Sequence, residues 1–119
     1  MVKIYLIAGE ASGDLLGAHL MKALKAESAN PPRFFGIGGE RMEAEGLASL
    51  FPYQELSMMG FLEIVPHALH VMARISATVD DIIAKDPAVV ITIASPGFTL
   101  RVAGQLRKAK VRAELVHYA

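Results

Sequence analysis

The chain has 119 residues, 53% hydrophobic and 20% charged, enough apolar material for one globular domain with a real core and too short for a second. Twelve basic residues balance twelve acidic ones, so no global field draws it to nucleic acid or to an anionic membrane surface, and any membrane contact must be local and apolar. Cysteine is absent, which excludes a disulfide framework and thiolate chemistry and fits a reducing cytoplasm.

Residues 2–8 form a nearly continuous apolar, β-rich run, the pattern of a strand covered on both faces in a parallel sheet. It turns polar at Gly9-Glu10, too soon for a signal peptide. A helix is predicted over residues 14–26, where Leu16, Leu20, Ala23 and Leu24 share one face, with Ser12 as its N-cap. After Asn30-Pro31-Pro32, residues 33–37 read as a second strand running into Gly36, Gly38 and Gly39. A short helix over 40–45 should end at Gly46 in a left-handed cap.

Residues 47–51 read as a weak strand, and Pro52 opens a loop. Pro66 marks a helix start or kink, after which Val71, Ile75, Val79, Ile82 and Ile83 hold a helical stripe as far as Lys85. A buried-type strand over 88–93, an amphipathic helix over 98–109 and a last strand over 111–117 complete the series. Strands alternating with helices imply a parallel, doubly wound, Rossmann-like α/β sheet. The last strand stops with no helix after it, so that part of the sheet awaits further strands or a second copy of the chain, a homodimer through the uncovered sheet. Nowhere does the chain reach the roughly 18 apolar residues of a membrane span.

The loop Gly9-Glu10-Ala11-Ser12-Gly13-Asp14 follows the first strand, where doubly wound sheets place ligands. Gly9 and Gly13 let backbone approach a ligand. Glu10 and Asp14 would repel a phosphate but suit the hydroxyls of a sugar, as hydrogen-bond acceptors or as general base. The alternative for Ser12 and Asp14 is structural: a cap, and an acid facing the helix dipole.

Gly36-Ile37-Gly38-Gly39-Glu40-Arg41 lacks the third glycine of a dinucleotide loop. It is either a tight turn or a place where Gly38, Gly39 and the next helix's N–H groups join Arg41 around one phosphate. The run from 56 to 65, with Met58, Met59, Gly60 and Phe61, is either core or an adaptable surface for acyl chains. His19, His67, His70 and His117 show no metal-ligand spacing, and no metal or cofactor is expected. His117, at the end of the last strand, is placed to touch a substrate.

Residues 8–14, Gly36-Ile37-Gly38-Gly39 with Arg41-Met42 and Glu45-Gly46, Leu56-Ser57-Met58-Met59-Gly60, and Val116-His117-Tyr118 together resemble the lipid-A-disaccharide synthases, in the same order and at matching intervals. The likeness covers the whole chain, and the first loop is its most characteristic part. It implies the amino-terminal, acceptor-binding domain of a GT-B glycosyltransferase that joins UDP-diacylglucosamine to diacylglucosamine 1-phosphate, releasing UDP. The donor would be held by a second domain. Glu10, Ser12 and Asp14 would line the acceptor side of the cleft. Residues 58–61 would meet acyl chains at the inner face of the bacterial inner membrane, from the cytoplasm.

Two departures bear on mechanism. Where the family usually has Ile-Asp-Ser/Ala-Pro-Asp-Phe, this chain reads Ile93-Ala94-Ser95-Pro96-Gly97-Phe98, so Ala94 stands in place of the family's best candidate for a catalytic carboxylate. The chain also stops before the Ser-Pro-Ser-Val-Trp segment of similar sequences. The expectation is a domain inactive by itself; the alternative is a lipid-sugar-binding or interaction module without catalysis.

Overall fold

The structure, a computed structural model, describes residues 2–59, 68–93 and 96–118, apart from the side chains at 57–59, 68, 71, 96 and 97. Lys3–Ala8 (β1), Arg33–Ile37 (β2), Val89–Ile93 (β3) and Glu114–Tyr118 (β4) form a parallel sheet in the order β2-β1-β3-β4. The helices among the described residues are Ala11–Glu27 (α1), Glu40–Ala44 (α2), Gln54–Met59 (α3), Ala68–Lys85 (α4) and Pro96–Lys108 (α5).

Strand β1 explains its own apolar run. Tyr5 and Ile7 point to a core shared with Ile75, Val79 and Ile82 of α4 and Phe98, Val102 and Leu106 of α5. Ile4, Leu6 and Ala8 point the other way, to Ala18 and Met21 of α1 and Met42 of α2. Each of the larger aliphatic, methionine and phenylalanine side chains among these contributes about 1.5–3 kcal/mol by leaving water. The result is the expected α/β layering, with helices on both faces of the sheet. On α4, Ile75, Val79 and Ile82 are buried as the stripe predicts, whereas Ile83 turns outward at 49% exposure.

Several boundaries differ from the sequence reading. Helix α1 starts at Ala11, and its N-cap is Glu10 in extended backbone, without a side-chain capping bond. Ser12 is therefore inside the first turn and does not cap. The Glu10 carbonyl already accepts the Asp14 N–H at 2.9 Å, so the chain turns into helix directly off β1.

Residues 47–51 form no strand. Their one bridge joins Ser49 to Gly36. The Ser49 hydroxyl accepts the Gly38 N–H at 3.1 Å and donates to the Phe51 carbonyl at 2.6 Å, and these local bonds bend the segment away from a ladder. The loop expected after Pro52 instead becomes α3.

Helix α2 ends as expected at Gly46, φ +113. The Gly46 N–H reaches the Glu43 carbonyl at 3.1 Å and the Leu47 N–H the Met42 carbonyl at 3.2 Å, a Schellman closure with Leu47 and Met42 both in the core. Lys110, φ +55, ends α5 in the same way, its N–H bonding to Arg107 and that of Val111 to Leu106. That closure delays β4 to Glu114. β4 is an edge strand, with Val116 and Tyr118 exposed.

Candidate ligand site at the carboxyl rim

From β1 the chain crosses through α1 to β2 on one side, and from β3 through α5 to β4 on the other. The topological switch therefore lies between β1 and β3, whose last residues, Ala8 and Ile93, are in register. Crevices at such points are where doubly wound sheets bind ligands. The first turn of α1 sits directly over this place: a Cβ on Gly13 would be 3.3 Å from the Ala8 Cβ and 3.4 Å from the Ile93 Cγ2. Gly9 and Gly13 are buried here, so they bring helix and sheet together. Ala94 lies outside the described residues.

Glu10 stands exposed at this rim. Among the described residues its carboxylate meets no closer polar side chain than the Ser12 hydroxyl, which donates to Oε2 over 3.5 Å. Because the sheet is parallel, the end of β2 and Gly38 lie at the same rim as Glu10.

Asp14 has a different environment. It is 5% exposed, and its carboxylate accepts three backbone N–H groups from the start of α2: Gly39 at 2.8 Å and Met42 at 3.0 Å on Oδ1, and Arg41 at 3.1 Å on Oδ2. Gly39 is the N-cap of α2 and supplies no side-chain oxygen, so the cap comes from a helix 25 residues away. A Cβ on Gly39 would lie 2.7 Å from Asp14 Oδ2, which is why glycine is needed there.

Two expectations change as a result. Most of the N–H groups that were to cradle a phosphate with Gly38, Gly39 and Arg41 are taken: Gly38 bonds to Ser49, and Gly39, Arg41 and Met42 to Asp14. And Asp14, with both oxygens engaged, has the surroundings of a structural acceptor instead of an open base. Its dipole partner is α2, not its own helix.

Beside α1 the rim opens into a groove of about 620 Å³, with Ala11 and Asp14 on one wall, Glu40, Arg41 and Glu43 on another, and the segment from Ser49 to Gln54 closing it. The exposed Arg41 side chain has no ion-pair partner among the described residues.

On the opposite face, Glu55 Oε1 of α3 meets Arg74 Nε and His70 Nε2 of α4, each at 2.9 Å, and the Arg74 guanidinium lies 5.0 Å from the centre of the Phe51 ring. Sequence reasoning missed this clamp. Met58 and Met59 close α3, but their side chains, and Gly60 and Phe61 altogether, lie outside the described residues. His117 is exposed, and its Nδ1 is 2.9 Å from the Thr92 hydroxyl on β3.

Fold and rim together define a doubly wound α/β protein with a ligand-type crevice and an adjoining polar groove. Comparison with known proteins narrows this class: the family described as lipid-A-disaccharide synthetase matches residues 4–119. The chain is 49% identical to a lipid-A-disaccharide synthase of Paramagnetospirillum magneticum, over 97% of this chain and 30% of that protein. It is 46% identical to the same-named proteins of Rickettsia bellii and Pseudomonas syringae pv. tomato, in each case over 98% of this chain and 30% of the relative. The chain belongs to the lipid-A-disaccharide synthetase family, whose members are glycosyltransferases of lipid A biosynthesis. It spans about 30% of the length of these relatives.

Proposed function

We propose that these residues form the acceptor-binding part of a glycosyltransferase that joins UDP-diacylglucosamine to diacylglucosamine 1-phosphate, giving lipid A disaccharide 1-phosphate and UDP. The observation that carries the reading is the exposed, uncommitted carboxylate of Glu10 beside the β1–β3 switch. A carboxylate there accepts a hydrogen bond from the acceptor's attacking hydroxyl and removes its proton as the new glycosidic bond forms. Ser12 offers the adjoining hydroxyl. Residues 58–61 supply the apolar contact for acyl chains and for the inner leaflet of the membrane.

Within these 119 residues the machinery is thin. Asp14 is committed to α2, and position 94 holds alanine, where the family resemblance implies an aspartate. The second reading, a lipid-sugar-binding module without catalysis, draws on these two facts.

Calorimetric titration of the chain with micellar diacylglucosamine 1-phosphate tests both. Saturable heat is expected, weakened by Glu10→Gln through the lost charged acceptor and by Met59→Asp through a charge in the apolar contact. Adding UDP-diacylglucosamine should release no UDP above the buffer blank from the 119 residues alone. Absence of heat in every form would sink the acceptor assignment, and UDP release at enzymatic rates would sink the expectation of inactivity.

A further inference from the structure

We infer that the groove beside α2 is a subsite for an uncharged sugar ring, with Tyr53 as the surface on which the ring lies, and that the same groove rejects phosphate. The inference rests on the sugar-acceptor reading above and specifies where the ring sits, with the acceptor's 1-phosphate directed out of the groove. At about 620 Å³ the groove is of the size that takes a small ligand.

Its electrostatics argue against an anion. Of the N–H groups at the start of α2 that would greet a phosphate, those of Gly39, Arg41 and Met42 are already spent on Asp14. Glu40 and Glu43 add two further carboxylates to the lining, against the single cation of Arg41. A phosphate entering here meets more negative than positive charge and finds most of the backbone cradle taken.

A pyranose fits the same lining well. It has hydroxyls around its edge and a C–H face that behaves as apolar surface. Glu40, Glu43 and Gln54 are exposed acceptors and donors for the edge, and Leu50, Pro52 and Tyr53 provide an apolar wall for the face. Tyr53 is half-buried and lines the groove, and a Cβ on Gly39 would approach its Cε1 to 2.8 Å, so the bare glycine is what lets the ring pack against the floor of the groove. Among the described residues the Tyr53 hydroxyl has no hydrogen-bond partner, which leaves it available to a sugar hydroxyl.

The test is amide-resolved NMR of the isotopically labelled 119-residue chain, titrated separately with methyl N-acetyl-β-glucosaminide and with inorganic phosphate. The glycoside is expected to shift the Gly38, Gly39, Tyr53 and Gln54 amides saturably. Tyr53→Leu, which keeps apolar bulk and removes the flat face, should weaken it roughly three- to tenfold, the size of one aromatic contact. Phosphate should give no saturable shift there. If Tyr53→Leu does not fold, nuclear Overhauser contacts between the Tyr53 ring protons and the glycoside C–H protons in the unaltered chain decide instead.

Saturation of the groove amides by phosphate, unchanged affinity in Tyr53→Leu, or absence of the ring contacts overturns the inference. Should the lipid acceptor bind while only amides around Glu10 and Gly13 shift, the subsite is wrong and the acceptor function stands. No response to glycoside or lipid acceptor removes both.

Discussion

Replacing Asp14 with alanine takes away the acceptor of three backbone N–H groups, and the structure sets the size of the effect. The bonds from Gly39 and Met42 are buried, so each lost partner costs about 1.5 kcal/mol at the lower end for bonds to an ionised group. Arg41's bond is part-buried and water reaches it through the groove, so its loss adds only about 0.5 kcal/mol. The alanine variant should therefore lose about 3.5 kcal/mol, a large share of the roughly 5–15 kcal/mol that holds a domain together. Asparagine keeps an oxygen for the two buried bonds but sets an amide N–H₂ against the Arg41 N–H and removes the charge, for a loss of about 2 kcal/mol. In urea, with a slope of about 1–3 kcal/mol per molar, the alanine midpoint should fall by roughly 2 M without a change of slope, and that of asparagine by about half as much. A midpoint shift below about 0.5 M for alanine, or an asparagine variant as stable as the parent, would refute the structural role and return Asp14 to the pool of free carboxylates.

Burial first, then the hydrogen bond to Asp81 at 2.7 Å and that residue's charge, keep the Tyr5 hydroxyl protonated well beyond the ordinary phenol value of 10.0. The unfolded chain releases this proton near pH 10 and the folded chain does not, so stability is fully present below that pH and falls as pH rises above it, by about 1.4 kcal/mol per pH unit. Alkaline titration of urea midpoints should show this slope in the parent and lose it in Tyr5→Phe. Gly36→Ala places a Cβ against the Leu6 carbonyl of the neighbouring strand, in backbone at φ +139. Circular dichroism should show either no folded protein or a loss above about 4 kcal/mol. Glu55→Ala releases both Arg74 and His70, a half-buried cluster worth about 1 kcal/mol, with Glu55→Gln expected to lose less; equal stability of all three forms in urea would show that the clamp adds nothing.

Long single-minded patterns were legible in the sequence. The apolar run of β1 and the spacing of Ile75, Val79 and Ile82 on α4 admit one reading each, because a strand covered on both faces and a helix covered on one leave different periods. Helix α3 was hidden because its buried Leu56 begins an apolar run that continues past the helix, which erases the contrast between faces. The late start of β4 was hidden for another reason: Lys110 adopts the left-handed cap that the eye assigns to glycine.

Asp14 is the instructive case at the site. Local rules offered Ser12 as cap and Asp14 as an acid facing its own helix dipole, and both are reasonable for the isolated segment. The partner that decides the matter lies 25 residues on, and sequence spacing does not announce it. One signal was available: α2 begins after Gly39 and has no Ser, Thr, Asp or Asn at its N-cap. A helix start packed into a fold needs its N–H groups met, so a missing local cap asks for a remote one.

Once Asp14 is assigned to α2, the roles within the first loop separate. Gly9, Gly13 and Asp14 are buried and bind α1 to the sheet and to α2, while Glu10, Ala11 and Ser12 remain at the surface. A loop of this kind can be specific in sequence for architectural reasons over half its length and still present one carboxylate and one hydroxyl to a ligand. The same assignment changes what a glycine-rich turn at the end of a parallel strand offers an anion: an internal carboxylate already accepts the Gly39 and Met42 N–H groups, and a phosphate would have to displace it against the charges of Glu40 and Glu43. On the proposed reading, recognition at this rim would fall to hydroxyl and apolar contacts, the chemistry of an acylated sugar more than of a nucleotide.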